Sequence, residues 1–356
     1  MRVGKWFWVA LCFLLFHNAA FGAQSFNSSG YHLVEIIALG GEGRWDYLTL
    51  DNQTHRLYIS RSSHVLVVNT DSGKVIGDIP DTDGVHGIAL VPELNKGFTS
   101  NGHEATVTVF DLQTLKPLIK IPVGKNPDAI IYDPASGHVF TFNGASHDIT
   151  AIDPKSGMVV GTVVLDGRPE YAVADNQGHI YVNLEDKSQV VELDSRKLAI
   201  KARWPLAPGE GPTGISMDQA HRRLFIGCTN KLMVVMNADN GKVTATLPIG
   251  SGVDATAFDP ETGLAFSSNG EGTLTVIHED SPDKFSVLEN VVTQKGARTM
   301  ALDLKAHRIY LATAELGDTP TPTTELPHPR SSIVPGSFVI LVMGKLIANA
   351  GLPLKD

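Results

Sequence analysis

Residues 124–167 alternate short apolar, β-branched runs with clusters of turn residues: DAIIYD, HVFTF, DITAID and VVGTVV are separated by PASG, NGASH and PKSG. Runs this short and this rich in branched side chains read as strands joined by tight turns. The pattern recurs along the chain. The residues that open each first strand fall at Asp46, His86, Asp128, Glu170, Thr213, Asp254 and Arg298, at spacings of 40, 42, 42, 43, 41 and 44. Each first strand closes five residues later, at Asp51, Val91, Asp133, Asp175, Asp218, Asp259 and Asp303. A turn then leads into second strands such as RLYIS, HIYVN, RLFIG and RIYLA.

The third strands read VLVVN, VTVFD, ITAID, VVELD, LMVVM, LTVIH and FVILV. Turns such as TDSGK, PKSGM and ADNGK lead on into fourth strands, several ending at Pro80, Pro122 and Pro248. The glycine in these turns accepts the positive φ of a tight hairpin. A unit of four short antiparallel strands cannot bury both faces of its sheet alone, so about forty residues per unit, repeated seven times, predicts stacking in a ring. The fold class expected is all-β, a seven-bladed β-propeller. Its last repeat stops after SFVILVM at 337–343, while YHLVEIIALGG at 31–41 is an orphan strand with the fourth-strand pattern. The N-terminal strand is therefore expected to complete the last blade and pair an otherwise open edge.

Ahead of the repeats, Arg2 and Lys5 precede an apolar stretch at 6–16 and the small residues of HNAAFGA. This reads as a signal peptide over residues 1–23, since eleven apolar residues fall short of the roughly twenty that span a bilayer. Cys12 lies inside the apolar core and not at a lipoprotein-type cleavage box, so no lipid anchor is expected. Residues 24–356 are expected to form a single propeller domain, exported to the periplasm or secreted, monomeric and with no membrane span after cleavage. Cys228 is then the one cysteine left, so stability rests on core burial and not on disulfides. The formal net charge moves from −9 to −11 on loss of Arg2 and Lys5, which argues against nucleic acid as a partner.

Segments such as HVFTFNGASHDITAIDPKSGMVVGTV, HIYVNLEDKSQVVELD and RLFIGCTNKLMVVMNADNGKVTATLPIGSG resemble the forty-residue repeat of the YVTN-type β-propeller family of exported prokaryotic proteins. The asparagine of that repeat stands at Asn101, Asn143 and Asn269, slips by one to Asn183, and is replaced by Arg61, Cys228 and Thr313. The resemblance implies a seven-bladed ring, a shape shared with propellers of quinoprotein amine dehydrogenases and lactonase-like enzymes. It implies no single chemistry.

Function is sought where the repeats disagree. His55, His138, His179 and His307 occupy equivalent turns of separate blades and read as surface turn residues. The strand-opening residues differ, because the innermost strand of a blade begins at the mouth of the central channel. Asp46, His86, Asp128, Glu170, Asp254 and Arg298 are thus the candidate ligand-binding residues, with Asp46, Asp128, Glu170 and Asp254 able to offer hard oxygen ligands to a divalent cation such as calcium. Crowded carboxylates raise one another's pKa unless a cation intervenes. The same pattern also fits a rim of solvated acids.

In the last repeat, the loop between second and third strands grows into a proline-rich insertion at 315–336, expected beside the same mouth as a lid or a grip for a partner, or else as a tolerated disordered insertion. His103 with Glu104 and His147 with Asp148 come from matching loops. Haem attachment, cysteine–zinc, nucleophile-elbow and phosphate-loop motifs are absent. Three functions remain: a module binding a small ligand or protein partner at the channel mouth, a metal-dependent lactonase-like hydrolase, and a propeller subunit of a quinoprotein or haem oxidoreductase. The first leads, because no complete catalytic set assembles.

Overall fold

Each repeat folds into one four-stranded antiparallel sheet, and the burial of its strands grades outward from the ring axis. In blade 3 the strands are Pro127–Asp133, His138–Asn143, Asp148–Asp153 and Met158–Val164. The second strand is almost wholly buried, being covered by neighbouring blades on both faces, whereas the fourth is mostly exposed. The computed structural model describes residues 28–323 and 329–345, so the expected signal peptide lies outside the described residues. Seven such sheets are present among them, and regular helix is limited to two single 3₁₀ turns, Pro92–Leu94 and Glu185–Lys187. The protein is a seven-bladed β-propeller. No helix among the described residues is long and apolar enough to cross a membrane.

The apolar core is divided among the seams between blades. At the seam of blades 3 and 4, Phe140 and Phe142 pack on Ile180, Val182 and Leu184. At the seam of blades 7 and 1, Leu57 and Ile59 meet Tyr310, Phe338 and Ile340. Comparable clusters fill the other five seams. A blade without its neighbours would expose both faces, which is why the ring must close.

Closure follows the orphan-strand expectation. Tyr31–Ala38 pairs antiparallel with Val339–Lys345, setting Ile37 opposite Ile340 and Tyr31 opposite Lys345. Arg61, at a repeat position that carries asparagine elsewhere, fastens the junction. Its guanidinium is 2% exposed, lies 3.8 Å above the Phe338 ring, and donates to the carbonyls of Gly40, Glu42 and Gly43. Burial lowers its pKa to about 10, so it remains charged at neutral pH.

The repeat asparagines themselves are structural. Asn101, Asn143 and Asn269 each donate to a threonine of the third strand of their own blade, Thr108, Thr150 and Thr275, at 2.7, 2.9 and 2.9 Å. Three of the four turn histidines are part-exposed and ion-paired, whereas a ring nitrogen of His138 is buried without a hydrogen-bond partner. His55 pairs with Asp71, His179 with Asp175 and His307 with Asp259, none of them among the residues lining the channel mouth.

Candidate functional site at the channel mouth

None of the seven residues read as strand openers is the first of its strand. In five blades a Val or Pro opens the strand, so His86, Asp128, Glu170, Thr213 and Asp254 are second residues. Asp46 and Arg298 precede their strands, Leu48–Asp51 and Met300–Asp303, by two. The reason is a bulge. In these five blades the pairing shifts register directly after the first residue, for example between Pro127 and Ile130 and between Pro212 and Ile215. A bulge bends a strand and re-aims its unpaired side chain, which here turns the second residue into the channel. The inner strands then lie so close that a Cβ on Gly87 would stand 2.9 Å from Ile130 Cγ2, and one on Gly214 2.7 Å from the Thr256 amide nitrogen.

Neighbouring blades hold these positions from behind. Ser100 Oγ donates to the carbonyl of Asp128, Ser268 Oγ to that of Arg298, and Asn183 Nδ2 to that of Thr213 at 2.7 Å. All three donors share one repeat position, four residues into the second strand. The displaced Asn183 is therefore no degenerate copy of the repeat asparagine; it takes over the serine's work.

All seven residues line one cavity of about 790 Å³. Within it His86 Nδ1 lies 2.6 Å from Asp46 Oδ2 and 3.7 Å from Asp128 Oδ1, and Arg298 Nε lies 3.4 Å from Asp254 Oδ2. Asp46, His86 and Asp128 bring one ligand atom each within 4.8 Å of the others. Glu170 contributes a further carboxylate, while Arg168, Lys295 and Arg330 stand at the wall. Thr213 lies deeper, and its hydroxyl donates to the Val253 carbonyl at 3.0 Å.

Burial and mutual repulsion set the charge state. Glu170 is pushed up to about 9 by burial and then by Asp128, Glu185 and Asp254. Burial raises Asp254 to about 7 against the pull of Arg298, and Asp128 to about 6 against that of His86. Burial disfavours the imidazolium of His86, yet the hydrogen bond to Asp46 and the charges of Asp128 and Asp46 outweigh it and raise the pKa. Arg298 is raised, chiefly by Asp254. The cavity thus holds acids that burial keeps short of full ionisation.

Tyr47 and Tyr171, from opposite sides of the ring, stack across the channel with centroids 5.1 Å apart and planes at 22°. After burial, the charge of Asp128 is among the causes that raise the Tyr47 phenol. Burial drives both phenols up, Tyr171 to about 12, so both remain neutral donors. The sequence reading missed this pair. A signal for it existed, since the residue after the strand opener is small at Gly87, Ala129, Gly214 and Ala255 but tyrosine at 47 and 171.

The described parts of the insertion, 315–323 and 329–336, lie beside the mouth. Leu316 and Arg330 line the cavity, and a second hollow of about 340 Å³ opens between the insertion and Arg44, Trp45 and Arg298. The segment is tied down by a bridge between Leu316 and Ile333 and by Arg44 Nη2 donating to the Ser331 carbonyl at 2.6 Å. His103 also lines the cavity, whereas Glu104 pairs with Lys120 and Asp148 accepts from Asn143. His147 is not among the lining residues. Cys228 is a free, fully buried thiol that burial pushes up to about 12.

No protein-family model matches the chain, and no curated protein matches it. Solved structures similar to it include hydrazine synthase of Kuenenia stuttgartiensis, at 15% identity and a TM-score of 0.67, covering 74% of this chain and 91% of that one. U3-55K aligns at 8% identity and a TM-score of 0.73, covering 88% and 99%. A chain of the mitotic checkpoint complex aligns at 15% and 0.69, covering 85% and 95%. At these identities the likeness is one of fold alone, and it extends to proteins of unrelated function.

Proposed function

We propose that this propeller is a binding module whose channel mouth receives a small, positively charged polar molecule, an amine in chemical class. One observation carries the reading: four carboxylates from four blades meet in a single cavity, and three of them are held toward their protonated forms by burial. An ammonium group set among Asp128, Glu170 and Asp254 would replace those protons and recover the ionisation energy that burial withholds. Arg298 and Arg330 stand ready for an acceptor on the same molecule, and the stacked tyrosines give its apolar body a floor. A cavity of this size suits a small ligand. Export, as expected from residues 1–23, would place such a module in the periplasm or outside the cell.

A second reading is favoured by the grouping of Asp46, His86 and Asp128. These residues offer two carboxylates and an imidazole, a donor set for a divalent cation that could polarise a lactone carbonyl. No residue arrangement among the described residues favours the oxidoreductase reading. A thermal-shift screen of amines and divalent cations, on the unaltered protein and on Asp128→Asn and Glu170→Gln, separates the two. A ligand at about a hundred times its dissociation constant should add roughly 2.7 kcal/mol of stability. Shifts with amines that both substitutions abolish support the binding module. Shifts with cations alone, accompanied by lactone hydrolysis, support the hydrolase, and no shift with any ligand overturns both.

A further inference from the structure

On the face of the ring opposite the mouth, three of the aspartates that close the first strands are clamped by the next blade. Ser195 Oγ of blade 4 donates to Asp133 Oδ2 at 2.5 Å, Arg222 Nη1 of blade 5 to Asp175 Oδ2 at 3.2 Å, and His307 Nδ1 of blade 7 reaches Asp259 Oδ2 at 2.7 Å. Each partner is a donor. At the seam of blades 5 and 6 the pattern inverts. Glu279 holds the repeat position of Ser195: both follow the residue that closes the repeat's third-strand pattern, and both amides donate at 2.9 Å to the equivalent turn carbonyl, Gly263 and Gly178. A carboxylate therefore faces Asp218, where the seams at Asp133, Asp175 and Asp259 present a hydroxyl, a guanidinium and an imidazole.

We infer that Asp218, His221 and Glu279 form a binding site for a divalent transition metal, zinc in class, that clamps this seam. The three side chains bring one ligand atom each within 4.8 Å of the others. His221 Nδ1 is 2.7 Å from Asp218 Oδ2 and 3.0 Å from Glu279 Oε1. The Asp218 and Glu279 side chains are each 3% exposed, and His221 is half-exposed and reachable from solvent. The decisive feature is Glu279, whose two carboxylate oxygens are buried and meet no well-aligned hydrogen-bond donor, Oε1 standing only in ion-pair contact with His221 Nδ1. A neutral His221 carries at most one proton on Nδ1, so that proton can serve only one of the two carboxylates. Arg223, the adjacent cation, directs its donors to the carbonyls of Pro282 and His221 and to Asp283 instead.

Two buried acids in contact require either a shared proton or a cation between them. Two carboxylates and a neutral imidazole are a donor set that zinc accepts, with the half-exposed side open to a fourth ligand, whereas calcium disfavours the imidazole. Asp218 is held for the role by the backbone amides of Ala220 and His221, at 2.9 and 3.2 Å. Along the inner strand this site lies roughly 17 Å from the mouth, so the two can be tested apart.

The test uses the full chain carrying Asp46→Asn and Asp128→Asn, which removes both carboxylates of the Asp46, His86 and Asp128 group at the mouth, after chelation and dialysis. Titration with zinc chloride should show one ion bound per chain and a rise in melting temperature. Adding Glu279→Gln or, separately, His221→Ala should weaken zinc binding more than about tenfold. His221 is half-exposed, so its substitution leaves a folded protein if the glutamate change does not. Absence of stoichiometric zinc in the mouth-disabled protein overturns the inference and leaves the acid pair joined by a shared proton. Binding that neither substitution weakens overturns it too.

Discussion

A carboxyl group buried among other carboxyls escapes the cost of ionisation by keeping its proton or by gaining a cation, and Glu170 shows what that means for stability. Its value in the folded chain, about 9, lies above the ordinary 4.5, so between those limits the folded state holds a proton that the unfolded state has released. The contribution of this group is therefore fully present below the ordinary value and is lost as pH rises toward 9. Asp254 and Asp128 slope the same way over windows that end near 7 and 6. Asp175 slopes oppositely. Burial would raise it, but the amides of His179 and Gln177 and the side chains of His179 and Arg222 hold it low, so its contribution disappears only in acid. Glu170→Gln should flatten the fall of the denaturant midpoint between about pH 6 and pH 9; an unchanged slope would show that Glu170 ionises freely. Cys228, fully buried and pushed up to about 12, should resist iodoacetamide at neutral pH until the protein is unfolded, and rapid alkylation of the native chain would contradict its placement. The mouth acids were legible as a repeat position whose identity varies where the inner strand meets the channel. The tyrosine pair was not recognised, because a residue's reach across a ring depends on a curvature that no local pattern states.

At the scale of elements, the period of the apolar runs was sufficient to lay out the strands, since a strand of six residues bounded by turns has few alternatives. Residue boundaries shifted where bulges intervened, as at Pro127 and Asp128, because a bulge adds a residue without altering the alternation seen locally. The closing strand was readable from a mismatch between the two chain ends, while its fastening by Arg61 was not. An arginine in a strand pattern looks solvent-facing until Phe338 and three carbonyls are found around it. Deleting residues 24–40 removes both the strand and the carbonyl of Gly40, and should lower the melting temperature sharply and expose the edge of the last blade. Phe338→Ala, which keeps the strand but empties the stacking site, should cost about 3–5 kcal/mol in denaturant unfolding. A deletion that leaves the melting temperature unchanged would mean that the ring is held shut elsewhere.

For the whole molecule, seven seam clusters hold the blades rigid while the two faces of the ring carry different residues. The mouth gathers the variable strand openers, and the opposite face gathers the repeated aspartates and their clamps. A chain of net charge −9 draws cations toward such a mouth, so association with an amine should weaken as salt is added. Isothermal titration of the strongest amine from the screen, at about pH 7 in buffers of differing ionisation enthalpy, examines the mouth most directly, because a cation that displaces protons from Glu170 and Asp254 must release them to the buffer. The expected result is one site per chain with net proton release, and loss of that release in Glu170→Gln. Binding without proton release, at an affinity that Glu170→Gln and Asp128→Asn leave unchanged, would place the ligand elsewhere and contradict the mouth as its site.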